Sequence, residues 1–151
     1  MVNVKSSKTC GSPYVFLEDY EFCHGGLIEI ATGKRKQMIK KIREGFSADN
    51  PPVKLKKELL DVAIVVHIRS GRHRWQDLDN LAKIILDAFE KPKDSEDKYP
   101  YLYENDNQIV RLLLIKRERV EYPDSETSQL SISVRKHDPD KEMVLKELKH
   151  N

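Results

Sequence analysis

The residues best equipped for chemistry lie at 77–87, Asp-Leu-Asp-Asn-Leu-Ala-Lys-Ile-Ile-Leu-Asp. Three carboxylates (Asp77, Asp79, Asp87), one amide (Asn80) and one lysine (Lys83) fall within these eleven positions, and Arg69, Arg72, His73 and Arg74 stand just ahead of them. A fourth carboxylate, Asp106, follows in the run Asn-Asp-Asn-Gln-Ile at 105–109. Carboxylates that can hold a hard divalent cation, beside cations that can hold phosphate, point to phosphodiester chemistry. In an extended chain Asp77 and Asp79 project to one side while Leu78 turns to the other. Together they could grip one magnesium ion, which prefers oxygen ligands, keeps several waters and shares its sphere with a substrate phosphate. Manganese would accept the same oxygen ligands. Asp106, opening the next apolar stretch, is expected to close this metal site from a neighbouring strand.

Lys83 lies four residues after Asp79 and four before Asp87, so on a helix it shares a polar face with Asn80 and neighbours Asp87. It could stabilise the extra charge of a phosphorane or orient the attacking water. Asp87 could position Lys83 or add to the metal site. Each residue also has a plainer use. An Asp ahead of a helix is commonly its N-cap, Lys–Asp at four-residue spacing is commonly a surface ion pair, and Asp106-Asn107 is a common turn.

The elements that must position these residues can be read from periodicity. Short apolar runs at 14–17 and 27–31 predict strands, with Gly25-Gly26 as a turn between them. Thr32 is placed to cap a helix running to about Phe46, with Met38, Ile39, Ile42 and Phe46 at helical spacing. Residues 59–68 predict a central strand buried on both faces, with Asp61 and His67 near its ends and His67 packed in the core. Leu81, Ile84, Ile85, Ala88 and Phe89 predict a helix from Asp79 to about Glu90. A polar loop at 91–105 leads to a strand at 108–116. Leu130, Ile132 and Val134 alternate with polar residues, predicting a half-exposed strand, and residues 137–151 predict a short helical tail carrying Met143, Val144 and Leu148. The expected fold is α+β: one domain over 1–151, a mixed sheet with helices packed against it, and a flexible segment at 1–12.

Composition permits this. A chain of 151 residues, 38% hydrophobic and 34% charged, can bury a core beneath a heavily charged surface. The net charge of +2 does not by itself argue for nucleic acid; the clustering of the charges does. No apolar run approaches the roughly 18 residues of a membrane span, and the first residues lack a signal-peptide core, so a cytoplasmic, non-membrane protein is expected. Cys10 and Cys23 make no disulfide framework, and with His24 they leave a zinc site one ligand short. Both are expected as reduced thiols.

The pattern Asp77-Leu78-Asp79-Asn80-Leu81-x-Lys83-x-x-x-Asp87-Ala88, with Asp106-x-Gln108-Ile109 beyond it and arginines ahead of it, resembles the RusA family of Holliday junction resolvases over roughly residues 60–135. The resemblance implies a homodimeric, magnesium-dependent endonuclease of recombination and repair that nicks opposing strands of a four-way DNA junction in a bacterial or phage-infected cell. It implies that Asp77, Asp79 and Asp106 hold the metal and that Lys83 is catalytic with them. Two departures stand out: Ser12-Pro13-Tyr14 replaces the family's usual Pro-Pro-Ser-x-Asn opening, and the loop between Asp87 and Asp106 is long.

Candidate DNA contacts are Lys34, Arg35 and Lys36 on the first helix and Arg69, Arg72 and Arg74 before the acids. Trp75, Tyr99, Tyr101 and Tyr103 could stack on opened bases but serve equally as packing, and Lys54, Lys56 and Lys57 read as a solvated lead-in. Three alternatives remain open: a branched-DNA-binding protein that does not cut, a dimeric structural or adaptor domain whose basic faces merely solvate, and, disfavoured by the flanking basic surfaces, a metal-dependent phosphatase acting on small substrates.

Overall fold

Val62, Ile64 and Val66 on one face of a strand and Ala63 and Val65 on the other are all buried. A strand covered on both sides must lie inside a sheet. This strand, β3 (Leu60–Arg69), is flanked by β4 (Ile109–Arg119), which runs parallel to it, and by β5 (Ser128–Lys136), which runs antiparallel. With β2 (Phe22–Ile28) antiparallel to β5, the mixed sheet has the order β2-β5-β3-β4. A second, two-stranded sheet joins β1 (Val15–Leu17) to β6 (Leu145–Glu147). Among the described residues two α-helices, α1 (Arg35–Phe46) and α2 (Leu78–Phe89), join these sheets in an α+β fold. The structure is a computed structural model and describes residues 15–28, 35–46, 51–69, 77–93, 100–119 and 128–147.

The helices cover one face of the large sheet. Met38, Ile42 and Phe46 of α1 and Leu81, Ile85 and Phe89 of α2 pack with Val62, Ile64, Val66, Leu130, Ile132 and Val134 in one core. At its centre the Phe46 and Phe89 rings meet edge-on, centroids 4.5 Å apart, with His24 against both. The opposite face is covered by β1, which packs on β3 and β5. The Leu17 N–H donates to the Ser133 hydroxyl at 2.7 Å, so a polar residue of the sheet becomes a tether for the strand above it.

Several expectations need correction. Gly25-Gly26 is no turn: both glycines lie within β2, where the His24 ring packs so close to Gly26 that an added Cβ would come within 3.1 Å of it. The alternating strand is not half-exposed, because Ser131, Ser133 and Arg135 are buried beneath β1 and the segment after β5. The expected C-terminal helix is absent from 137–147: that stretch makes a single turn, closed by the Lys141 N–H on the Asp138 carbonyl, and then leads into β6, since Leu145–Glu147 finds a partner in β1. Cys23 is disulfide-bonded rather than reduced; Cys10, like Thr32, lies outside the described residues. The loop at 91–105 is not wholly polar, since Leu102 and Tyr103 are fully buried. His67 is 7% exposed, as a packed residue should be.

Candidate metal and nucleic-acid site

Asp77 and Asp79 do not share an extended segment. Leu78 already belongs to α2, with Asp77 at the N-cap and Asp79 in the first turn. The Asp77 backbone is extended and its carbonyl accepts the Leu81 N–H at 3.1 Å, but its side chain makes no capping hydrogen bond. Asp79 instead accepts the Asn80 N–H at 3.0 Å. Both carboxylates are exposed, as are Asn80 and Lys83. The plain reading of Asp77 as a cap thus holds for its backbone and not for its carboxylate. Two solvent-facing carboxylates in one helical turn suit magnesium, which commonly takes one or two protein carboxylates together with substrate phosphate and water. The N–H groups at this helix terminus favour an anion in the same place.

Asp106 does not join them. Its N–H donates to Glu90 at 2.9 Å, and Glu90 is the residue that ends α2. Since α2 spans 12 residues, its two ends lie about 18 Å apart. Other contacts agree. Gln108 donates its amide to the Glu58 carbonyl, just before β3 begins, while Asp77 follows the segment that leaves the far end of β3. Among the described residues no three of His, Cys, Asp and Glu gather into a group that could hold a metal ion. The expected three-acid site is therefore divided between opposite ends of the sheet within one chain. The sequence carries the sign of this: a helix that crosses back along a strand delivers the next strand's start to the other end.

Among the described residues Asp87 makes no ion pair with Lys83. It pairs with Arg35, linking α2 to α1. Arg43 donates to the Asp87 and Ala88 carbonyls at 3.1 and 3.2 Å, satisfying the last turn of α2. Two of the basic residues of α1 thus serve helix packing. Lys36, Lys40 and Lys41 remain exposed. Arg69 closes β3; Lys34, Arg72, Arg74, Trp75 and Tyr99 lie outside the described residues. Tyr103 is buried, with its hydroxyl donating to the Leu86 carbonyl, and so is an anchor rather than a stacking platform. Burial, with Glu90 and Asp106 nearby, raises its pKa well above the ordinary phenol value.

The most elaborate polar cluster is one the motifs did not announce. Register places Arg111, Asp61 and Arg135 side by side across β4, β3 and β5. Asp61 is wholly buried, and it accepts from Arg111 at 2.9 and 2.5 Å, from Arg135 at 3.1 Å and from His137 at 2.7 Å. Burial pushes its pKa up, but the hydrogen bonds from Arg111, His137 and Arg135, with the Arg111 charge, outweigh that and bring it to about 2. The two arginines then donate onward to the carbonyls of Asp138, Lys141 and Glu142, holding the segment that leads to β6. The available signal was a charged residue at the head of each apolar run, Asp61 before Val62–Val66 and Arg111 before Leu112–Ile115.

Comparisons with protein-family models, with curated proteins and with solved structures return no match. Among the described residues no helix is long and apolar enough to cross a membrane.

Proposed function

We propose that this chain is a magnesium-dependent, structure-selective endodeoxyribonuclease that resolves four-way DNA junctions by paired nicks, in the manner of the RusA family it resembles in sequence. The observation that carries the reading is the pair of exposed carboxylates at the start of α2, with the Asp77 side chain unused as a cap and Lys83 one turn further on. Asp77 and Asp79 would hold the metal, with the scissile phosphate and water completing its sphere. Bound there, the metal would supply a more acidic water and neutralise developing charge. Lys83 would contact the phosphate from the same helix face.

Paired nicks call for two copies, and β4 supplies an edge for them. Among the described residues it ends the sheet, and its apolar run leaves Val110 and Leu112 exposed at 46% and 41%. Natural edges of this length and polarity are normally covered. Antiparallel pairing of β4 with a second copy about Leu112 sets Val110 against Leu114 and Ile109 against Ile115. A shift that puts Leu114 on the axis sets Arg111 against Arg117 instead. Antiparallel pairing also reverses ends, bringing the second copy's Asp106 to the end of the sheet from which Asp77 and Asp79 project.

The test is cleavage of a labelled synthetic four-way junction against linear duplex of the same arms, with magnesium or with EDTA. Symmetric nicks in the junction alone, abolished by EDTA, are expected. A second reading, a branched-DNA-binding protein that does not cut, is favoured by the separation of Asp106 from the other acids within one chain. Tight junction binding with no cleavage under magnesium or manganese would establish it in place of the first.

A further inference from the structure

Lys56 and Lys91 come from different elements and converge on one aromatic ring. The Lys56 ammonium lies 4.3 Å from the centroid of Tyr101, and that of Lys91 lies 5.9 Å from it. Lys56 belongs to the short 3-10 turn Val53–Lys57 ahead of β3, and Lys91 follows the end of α2. The ring is held between them by backbone. Leu102 N–H donates to the Phe89 carbonyl at 2.8 Å, Lys91 N–H to the Tyr103 carbonyl at 2.9 Å, and Glu104 N–H to the Lys56 carbonyl at 3.2 Å. Leu102 and Tyr103, next in the chain, are fully buried, which fixes the position of Tyr101.

These two lysines differ from others of the surface. Lys40, Lys54, Lys136, Lys141 and Lys146 each lie within 4.0 Å of a carboxylate oxygen. Lys56 and Lys91 have no carboxylate partner among the described residues, although Glu58, Glu90, Glu104 and Asp106 belong to the same end of the sheet; Glu58 pairs with Lys136. Two like charges held by the face of one ring, neither ion-paired among the described residues, repel each other and attract an anion. Lys57, next to Lys56, and Lys93, two residues past Lys91, are also exposed, so the positive charge extends beyond what one small anion could use. A polyanion with regularly spaced phosphates suits this arrangement.

We infer that Lys56, Lys91 and Tyr101 form a contact site for the sugar-phosphate backbone of nucleic acid, at the end of the sheet opposite Asp77 and Asp79. The ring's part is to hold the ammonium groups in place. The inference rests on the nucleic-acid part of the proposed function and holds whether or not the chain cuts.

The test is fluorescence anisotropy of a labelled four-way junction and of a labelled duplex, in EDTA, over a range of salt. Lys56→Gln with Lys91→Gln is expected to weaken binding about tenfold and to reduce the salt slope by about 1.8, the value for two lost phosphate contacts. Lys141→Gln with Lys146→Gln, which removes carboxylate-paired lysines, should change affinity less than about twofold. Tyr101→Phe should bind as the parent does, and Tyr101→Leu should weaken binding, because only the second removes the ring. An unchanged affinity and slope in the Lys56/Lys91 double variant would overturn the site while leaving DNA binding intact. No binding by the parent protein would overturn both. Displacement of the DNA by inorganic phosphate at matched ionic strength, lost in the double variant, would assign the lysines to a small anion instead.

Discussion

At the scale of single residues, the two groups of acids make different predictions. Asp77→Asn and Asp79→Asn remove exposed carboxylates that support little of the fold, so each variant should unfold within about 0.5 kcal/mol of the parent and lose junction cleavage. Normal cleavage by either variant, measured on the labelled junction, would remove that residue from the metal site. Asp106→Asn separates two arrangements of the same enzyme. If Asp106 acts across a dimer, it should be inactive alone and regain activity when mixed with Asp77→Asn; if two carboxylates suffice, it should cut as the parent does. Asp61 belongs to stability instead. Asp61→Asn leaves two arginines without their buried partner and should cost about 3–5 kcal/mol in chemical denaturation. Because its folded pKa of about 2 lies below the ordinary 3.8, its contribution is complete above about pH 4 and is lost as the pH falls through about 2. The shift corresponds to about 2 kcal/mol, readable as a fall in the denaturation midpoint over that window.

At the scale of elements, α2 links the core to the candidate site. Its apolar stripe is buried against the sheet, and its polar face presents Asp79, Asn80 and Lys83. Leu81 is fully buried one turn after the N-cap, so Leu81→Ala should lower stability by about 2–5 kcal/mol in urea unfolding. The Arg35–Asp87 pair between the helices is substantially exposed on both sides. Asp87→Asn should therefore change stability by less than about 1 kcal/mol, and a larger loss would show that the pair holds α1 in place. These elements were legible in the sequence because one-sided burial imposes its own period: Met38, Ile42 and Phe46 define α1, and the run from Val62 to Val66 defines β3. The β2 and β6 strands were not, because each is stabilised by a partner remote in sequence. Gly25-Gly26 reads locally as a turn and becomes strand by pairing with β5, and Leu145–Glu147 becomes strand by pairing with β1.

At the scale of the whole molecule, the feature that bears on assembly is the β4 edge. A strand of 11 residues with exposed Val110 and Leu112 at the margin of a sheet is a surface for pairing. If it pairs with a second copy, Leu112→Lys should place like charges together on the two-fold axis and yield a monomer by light scattering after gel filtration, with the thermal midpoint of the monomer little changed. A dimer that survives this substitution would move the interface elsewhere.

By itself the sequence determined the chemistry available and most of the elements that carry it. Residue type sets charge and ligand preference, and periodicity reports which side of an element is buried. Those are local properties, written within a few turns of chain. The tertiary structure decided which ends of elements meet. It set Asp106 beside Glu90 rather than beside Asp77, gave Asp87 to Arg35, aligned Arg111, Asp61 and Arg135 across three strands, and brought Lys56 and Lys91 to one tyrosine ring. Each of these pairings joins residues separated by at least 10 positions in the chain, and such proximity depends on strand order and direction, which no local pattern encodes.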